Sequence, residues 1–158
     1  MSYRVHAIPQ DVADEVRATM RSPGYGHPAH RELAKGTGPC RSCLRPFRVG
    51  QDERILFTYQ PFDGLGLPSP GPIFIHAEPC QRYQGHQIPR ELLSIPLILE
   101  AFTEDGLSLG RLALGKRDPD DAMAELLFDT GAEYIHLRHA EAGCFIARVE
   151  PVRIHEFV

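Results

Sequence analysis

Apolar and polar positions alternate over residues 3–8, with Tyr3, Val5 and Ala7 opposed to Arg4, His6 and Ile8, and this period of two predicts a strand. Pro9 then opens a helix. Gln10, Asp11 and Asp14 suit the positive end of the helix dipole, Val12, Val16 and Met20 recur at helical spacing as one buried stripe, and Ser22-Pro23-Gly24 ends the element. From there to Pro39 the chain is rich in Gly, Pro and His, which predicts a long surface loop over residues 22–39. Residues 54–60 and 72–76 are β-type runs, and the connector over residues 61–72 is too long and too rich in breakers for a tight hairpin; it could form a flap. Residues 97–103 and 107–114 are two more strands joined through Glu104-Asp105-Gly106, an Asp-Gly hairpin signal. Asp118 caps a helix through about Phe128 with Met123, Leu126 and Leu127 on its inner face, and residues 133–139 and 144–149 form a last strand pair.

Strands joined mostly by turns, interrupted by two or three helices, indicate an α+β domain built on an antiparallel or mixed sheet of about six strands. Regular βαβ alternation, which a doubly wound parallel fold requires, is absent from the pattern. The length of 158 residues fits a single domain over residues 1–158, domains being roughly 100–150 residues long. With 42% hydrophobic and 24% charged residues the chain is neither disordered nor a membrane protein, and its 14 glycines and 14 prolines explain the long loops. The formal net charge of -4 makes nucleic acid and anionic membrane surfaces poor partners. The N-terminus carries no apolar signal-peptide run, so a cytoplasmic location is expected, where thiols stay reduced and a Cys-x-x-Cys is a metal or redox element rather than a disulfide.

The sharpest chemical feature is Cys40-Arg41-Ser42-Cys43, followed 32 residues later by His76-Ala77-Glu78-Pro79-Cys80, together C-x2-C-x32-H-x3-C. A Cys-x-x-Cys turn points two sulfurs into one cavity, and a second pair at a strand end can supply the other corners of a tetrahedron. Zn2+ favours this Cys3His set, with Cys40, Cys43, His76 and Cys80 as ligands. The competing account makes Cys43 and Cys80 small buried apolar residues and His76 a hydrogen-bonded strand residue. Thiol chemistry of the thioredoxin kind would need the motif at a helix N-terminus, whereas Pro46 and Gly50 punctuate a loop.

Fifteen of the 17 basic residues are arginine, and Arg41 and Arg45, with Arg48 and Arg54, could form an anion-binding rim around the cysteine turn, diluted by Asp52 and Glu53. Phe47, Phe57, Tyr59 and Phe62 could offer stacking surface, although their spacing suits a core. His27 and His30 could add ligands from the loop. A second cluster holds His136, Arg138, His139 and Cys144; hairpin pairing would bring Cys144 near His139 as a nucleophile and base. The plainer account has Cys144 starting an apolar strand and the histidines half-exposed. The Walker loop, Gly-x-Gly-x-x-Gly and His-Glu-x-x-His patterns do not occur.

The motifs Gly38-Pro39-Cys40-Arg41-Ser42-Cys43-Leu44-Arg45, Gly71-Pro72-Ile73-Phe74-Ile75-His76-Ala77-Glu78-Pro79-Cys80, and Tyr134-Ile135-His136-Leu137-Arg138 through Gly143-Cys144-Phe145 resemble those of the DUF1203 family. The resemblance covers nearly the whole chain from about residue 30. It implies a bacterial single domain and no reaction, substrate or cofactor. The reading favoured by the residues is a non-catalytic binding domain with a structural zinc. Its alternative is an enzyme that uses Cys43 or Cys80 as a thiolate, or an open zinc site, on a small anionic substrate; a protein partner is also compatible with the arginine rim.

Overall fold

A computed structural model describes residues 3–61 and 71–152; the expected flap and Phe62 fall at residues 62–70, outside the described residues. In chain order the strands are β1 (Tyr3–His6), β2 (His30–Leu33), β3 (Glu53–Tyr59), β4 (Gly71–His76), β5 (Gln84–Gly85), β6 (Leu97–Phe102), β7 (Ser108–Ala113), β8 (Tyr134–His139) and β9 (Phe145–Pro151). The helices are α1 (Gln10–Thr19) and α2 (Pro119–Thr130), with a short 3-10 helix at Arg90–Ser94. This is an α+β fold with two antiparallel sheets, and its contacts divide the chain into two compact units, Met1–His6 with Gln84–Val158, and Ala7–Tyr83. Among the described residues no helix is long and apolar enough to cross a membrane.

The first unit holds the six-stranded sheet β5-β1-β9-β8-β6-β7. One face is a layer of fully buried apolar side chains, Val5, Val149, Ile135, Ala101, Leu137 and Leu99 among them, because strand alternation sends every second residue to that side. α2 packs against β6 and β7 through an apolar stripe that includes Met123, Leu126 and Leu127. Its start is set by Asp118, whose side chain accepts from the Asp121 amide, and by Pro119 in the first turn; Gly131 at φ 68 ends it. On the other face of the sheet one register row runs through Gln84, His6, Arg148, His136, Glu100 and Arg111, a polar line across all six strands.

The second unit is the three-stranded sheet β2-β3-β4 with α1. Ile55 pairs with Ile75 and Phe57 with Ile73 on a buried face, so Arg54, Phe74 and His76 project from the opposite one. β2 lies within the stretch expected to be a loop. Its residues, His30-Arg31-Glu32-Leu33, have no apolar alternation, and the strand exists because β3 offers it an edge, with Arg31 and Glu53 paired across the ladder. The stripe expected of α1 also shifts. Ala13 and Val16 are its buried residues, and Met20 is the C-cap in the left-handed region at φ 54, its N–H on the Val16 carbonyl.

Candidate metal centre

The cysteine turn is built by local hydrogen bonds. The Leu44 amide donates to the Cys40 carbonyl at 2.8 Å and the Cys40 amide to the Arg45 carbonyl at 3.0 Å, folding Cys40 and Cys43 onto the same side. Leu44 takes a left-handed φ of 60 while remaining fully buried. Gly38 has φ +91, and a Cβ there would stand 2.7 Å from the Phe47 ring and 3.0 Å from the Cys40 amide nitrogen, so the approach to the turn admits only glycine. The Arg41 amide donates to the Phe74 carbonyl at 2.9 Å, which ties the turn to β4 just before that strand ends at His76.

Those constraints bring four ligand atoms together. The donor atoms of Cys40, Cys43, His76 and Cys80 all lie within 4.8 Å of one another. Sγ of Cys40 and Cys80 are 3.8 Å apart, and His76 Nδ1 lies 3.4 Å from Cys43 Sγ. The His76 amide adds a 3.2 Å donation to Cys40 Sγ. Cys40 and Cys43 are buried, and His76 and Cys80 are half-buried. A group so composed could hold a metal ion.

The electrostatics of the cluster are those of sulfurs competing for protons. Burial pushes the Cys40 thiol far above its usual range, reinforced by Cys43 and Cys80. Hydrogen bonds from Cys40 and Cys43 pull Cys80 well below the ordinary thiol range. His76 is pushed up to about 10 by its hydrogen bonds to Cys43 and Cys80, against the opposing effect of burial. Without an ion the cluster favours a thiolate at Cys80 and a proton on His76, and a metal bound here would displace the protons that Cys40 and His76 hold.

A model of a protein family of unknown function, DUF1203, matches residues 37–151. The chain belongs to this family. All four clustered residues of this DUF1203 chain fall inside the match, whereas α1 lies before it. No curated protein and no solved structure matches the chain.

Two residues beyond the spacing motif complete the surroundings. Asp52 Oδ2 stands 3.4 Å from His76 Nε2, the ring nitrogen turned away from Cys43. The Arg48 amide, at 2.7 Å, and its guanidinium hold Asp52 in place and lower its carboxyl to about 2. Arg17, in the last turn of α1, donates to Cys80 Sγ at 3.2 Å and to the His76 carbonyl at 3.1 Å. Phe47 packs edge-on against the His76 ring at 4.6 Å, so it is a wall of the cluster.

The arginines around the turn are not gathered on one surface. Arg41 is buried with Nη1 on the Pro39 carbonyl, Arg48 is engaged by Asp52, and Arg54 is buried over the Phe74 ring with Glu32 at 3.6 Å; Arg45 is exposed. His27 stacks on Tyr25, and His30 is an exposed residue of β2; neither joins the four ligands. Hairpin pairing does bring Cys144 beside His139, whose amide donates to the Cys144 carbonyl at 3.0 Å, but their side chains make separate contacts. His139 Nδ1 accepts from the Glu141 and Ala142 amides and so organises its own turn, while Cys144 Sγ faces the Ala142 carbonyl at 3.9 Å. His136 is not half-exposed; at 1% exposure it is enclosed by the rings of Phe102, Tyr134 and Phe145, which cover a polar position that alternation alone assigns to solvent.

One further pattern in the chain, Gly106-Leu107-Ser108-Leu109-Gly110, has the Gly-x-Ser-x-Gly spacing of hydrolase nucleophiles. Here it forms the β6–β7 hairpin and the start of β7, and Ser108 Oγ donates to buried Glu100 at 2.8 Å. The strand–turn–helix elbow that chemistry requires is replaced by an antiparallel hairpin.

Proposed function

We propose that the chain is a non-catalytic binding protein of the bacterial cytoplasm whose 7–83 unit is held by a structural Zn2+ on Cys40, Cys43, His76 and Cys80. The observation that carries this reading is the convergence of three sulfurs and one imidazole nitrogen within 4.8 Å. With Zn–S bonds near 2.3 Å, two sulfurs at corners of a tetrahedron stand about 3.8 Å apart, and the Cys40–Cys80 separation is 3.8 Å. His76 would ligate through Nδ1, since Nε2 faces Asp52. Four protein ligands fill a tetrahedron and leave no place for a reacting water, which supports a structural role. The metal would close the long connection between the cysteine turn and the end of β4. A reduced compartment is the one in which four free cysteines persist. For a small anionic ligand, Arg45 is the exposed guanidinium beside the turn, whereas Arg41 is buried on the Pro39 carbonyl.

Metal analysis with X-ray absorption at the zinc edge tests the reading. One zinc per chain with three sulfur neighbours and one nitrogen is expected. Purified protein without metal, melting at the same temperature with and without chelator, would overturn it. The enzymatic alternative draws on the half-buried sulfur of Cys80 beside Arg17; rapid alkylation of Cys80 alone in zinc-loaded protein, together with a water ligand on the metal, would favour it.

A further inference from the structure

The metal centre leaves a charge to be explained. A divalent ion with three thiolates and one neutral imidazole carries a net charge of minus one, and here it would sit beside fully buried Cys40. Negative charge removed from water is costly unless donors or cations face it. Cys40 receives the His76 amide. Besides its hydrogen bonds within the cluster, Cys80 receives a charged side-chain donor, Arg17 Nη2, at 3.2 Å. The other arginines near the turn are directed elsewhere: Arg41 to the Pro39 carbonyl, Arg48 to Asp52, Arg54 to Glu32 and the Phe74 ring.

Resting on the metal-centre reading, we infer that Arg17 is the outer-sphere clamp of the site: its guanidinium compensates the excess thiolate charge at Cys80 and fixes the 76–80 segment in ligating geometry. The planar fork suits the task, because Nη2 reaches the sulfur while Nε reaches the His76 carbonyl at 3.1 Å, so one group holds both ends of the His-x3-Cys segment. The contact also works in reverse. α1 buries only Ala13 and Val16 among its ten residues, so the Arg17 tether to Cys80 and to the His76 carbonyl is part of what attaches it to the 76–80 segment, which the metal would hold in place. Loss of the ion therefore loosens α1 as well as the cysteine turn.

The test loads the full chain with Co2+, whose visible and sulfur charge-transfer bands report tetrahedral thiolate ligation, and follows transfer of Zn2+ from the same proteins to a colorimetric chelator. Removing outer-shell partners typically costs ten- to hundredfold in metal affinity. Arg17→Met is expected to bind one ion, to release it about ten- to a hundredfold faster than the unaltered chain, and to shift the charge-transfer band of the Cys80 sulfur. Arg17→Lys, which restores the charge without the two-point fork, should fall between them. Arg21→Met, at an exposed arginine bonded to its own loop, should release metal at the original rate. Hydrogen exchange of α1 amides should rise on chelation in the unaltered protein.

Unchanged release and an unchanged spectrum in Arg17→Met would overturn the inference while leaving the metal centre standing. Failure of the unaltered protein to take up Co2+ or Zn2+ would overturn both. If Arg17→Met does not fold, Arg17→Lys decides, and release at the original rate overturns the clamp.

Discussion

Cys40 and Cys80 are 40 positions apart in the chain, and their sulfurs meet at 3.8 Å. That approach depends on the cysteine turn being held to β4 by the Arg41 amide on the Phe74 carbonyl. A ligand lost from such a junction therefore removes a tether between distant segments, whereas a hydrogen bond lost within one turn removes a local contact. Cys43→Ser should destabilise the zinc-loaded protein by roughly 3 kcal/mol or more, as expected for loss of a metal. His139→Ala, which deletes the acceptor of two amides in its own turn, should cost about 1 kcal/mol. Melting in the presence of zinc checks the order; equal or reversed shifts reject it.

Gly38 tests whether the approach to the turn has any slack. A methyl group there would press on the Phe47 ring at 2.7 Å, and Phe47 in turn packs on the His76 ring at 4.6 Å. Gly38→Ala should lower stability by roughly 2–3 kcal/mol through overpacking and an unfavourable φ. It should also weaken Co2+ binding, because displacing Phe47 moves a ligand. Denaturation curves and Co2+ titration of the same samples measure the two effects, and a loss of stability with undiminished Co2+ affinity would separate Phe47 from the ligand set.

The C-x2-C and H-x3-C halves are legible in the sequence because each is local: a turn presents two sulfurs, and a strand end presents a histidine and a cysteine. The α+β class is legible for the same reason, from alternation and turn residues. Arg17 and Asp52 are not. Arg17 meets Cys80 across 63 positions and belongs by its spacing to a solvated helix face; Asp52 reads as a charge diluting a row of arginines, although it holds Arg48 and faces His76. β2 is hidden because its residues acquire a strand only from the edge of β3. His136 is hidden because aromatic neighbours cover a polar position that strand alternation assigns to solvent.

Asp52 supplies a prediction about metal affinity separate from that of Arg17. Its Oδ2 lies 3.4 Å from His76 Nε2, so an ionised carboxylate would fix the tautomer with Nδ1 free to ligate. Asp52→Asn should still bind one ion but with about ten- to a hundredfold lower affinity. Zinc competition against a chelator of known affinity checks this; affinity equal to that of the unaltered chain would show that Asp52 serves Arg48 alone.

Acid stability provides a test in the first unit. Burial, aided by Arg148 and Arg138, holds His136 down to about 2 from its ordinary 6.5. The groups around it are Glu100 on β6 and Arg148 on β9 in the same register row, Arg138 two residues along β8, and the rings of Phe102, Tyr134 and Phe145. Above pH 6.5 the ring is neutral in both folded and unfolded chains and contributes no pH dependence. Below it the unfolded chain binds a proton that the folded chain refuses, so stability falls as pH falls through the window from about 6.5 towards 2, at up to about 1.4 kcal/mol per pH unit. His136→Phe fits the aromatic surroundings and removes the titrating group. Urea denaturation at pH 7 and pH 5 should show the unaltered protein losing about 2 kcal/mol more than the variant over that interval. Parallel losses in the two proteins would mean that His136 accepts its proton while folded.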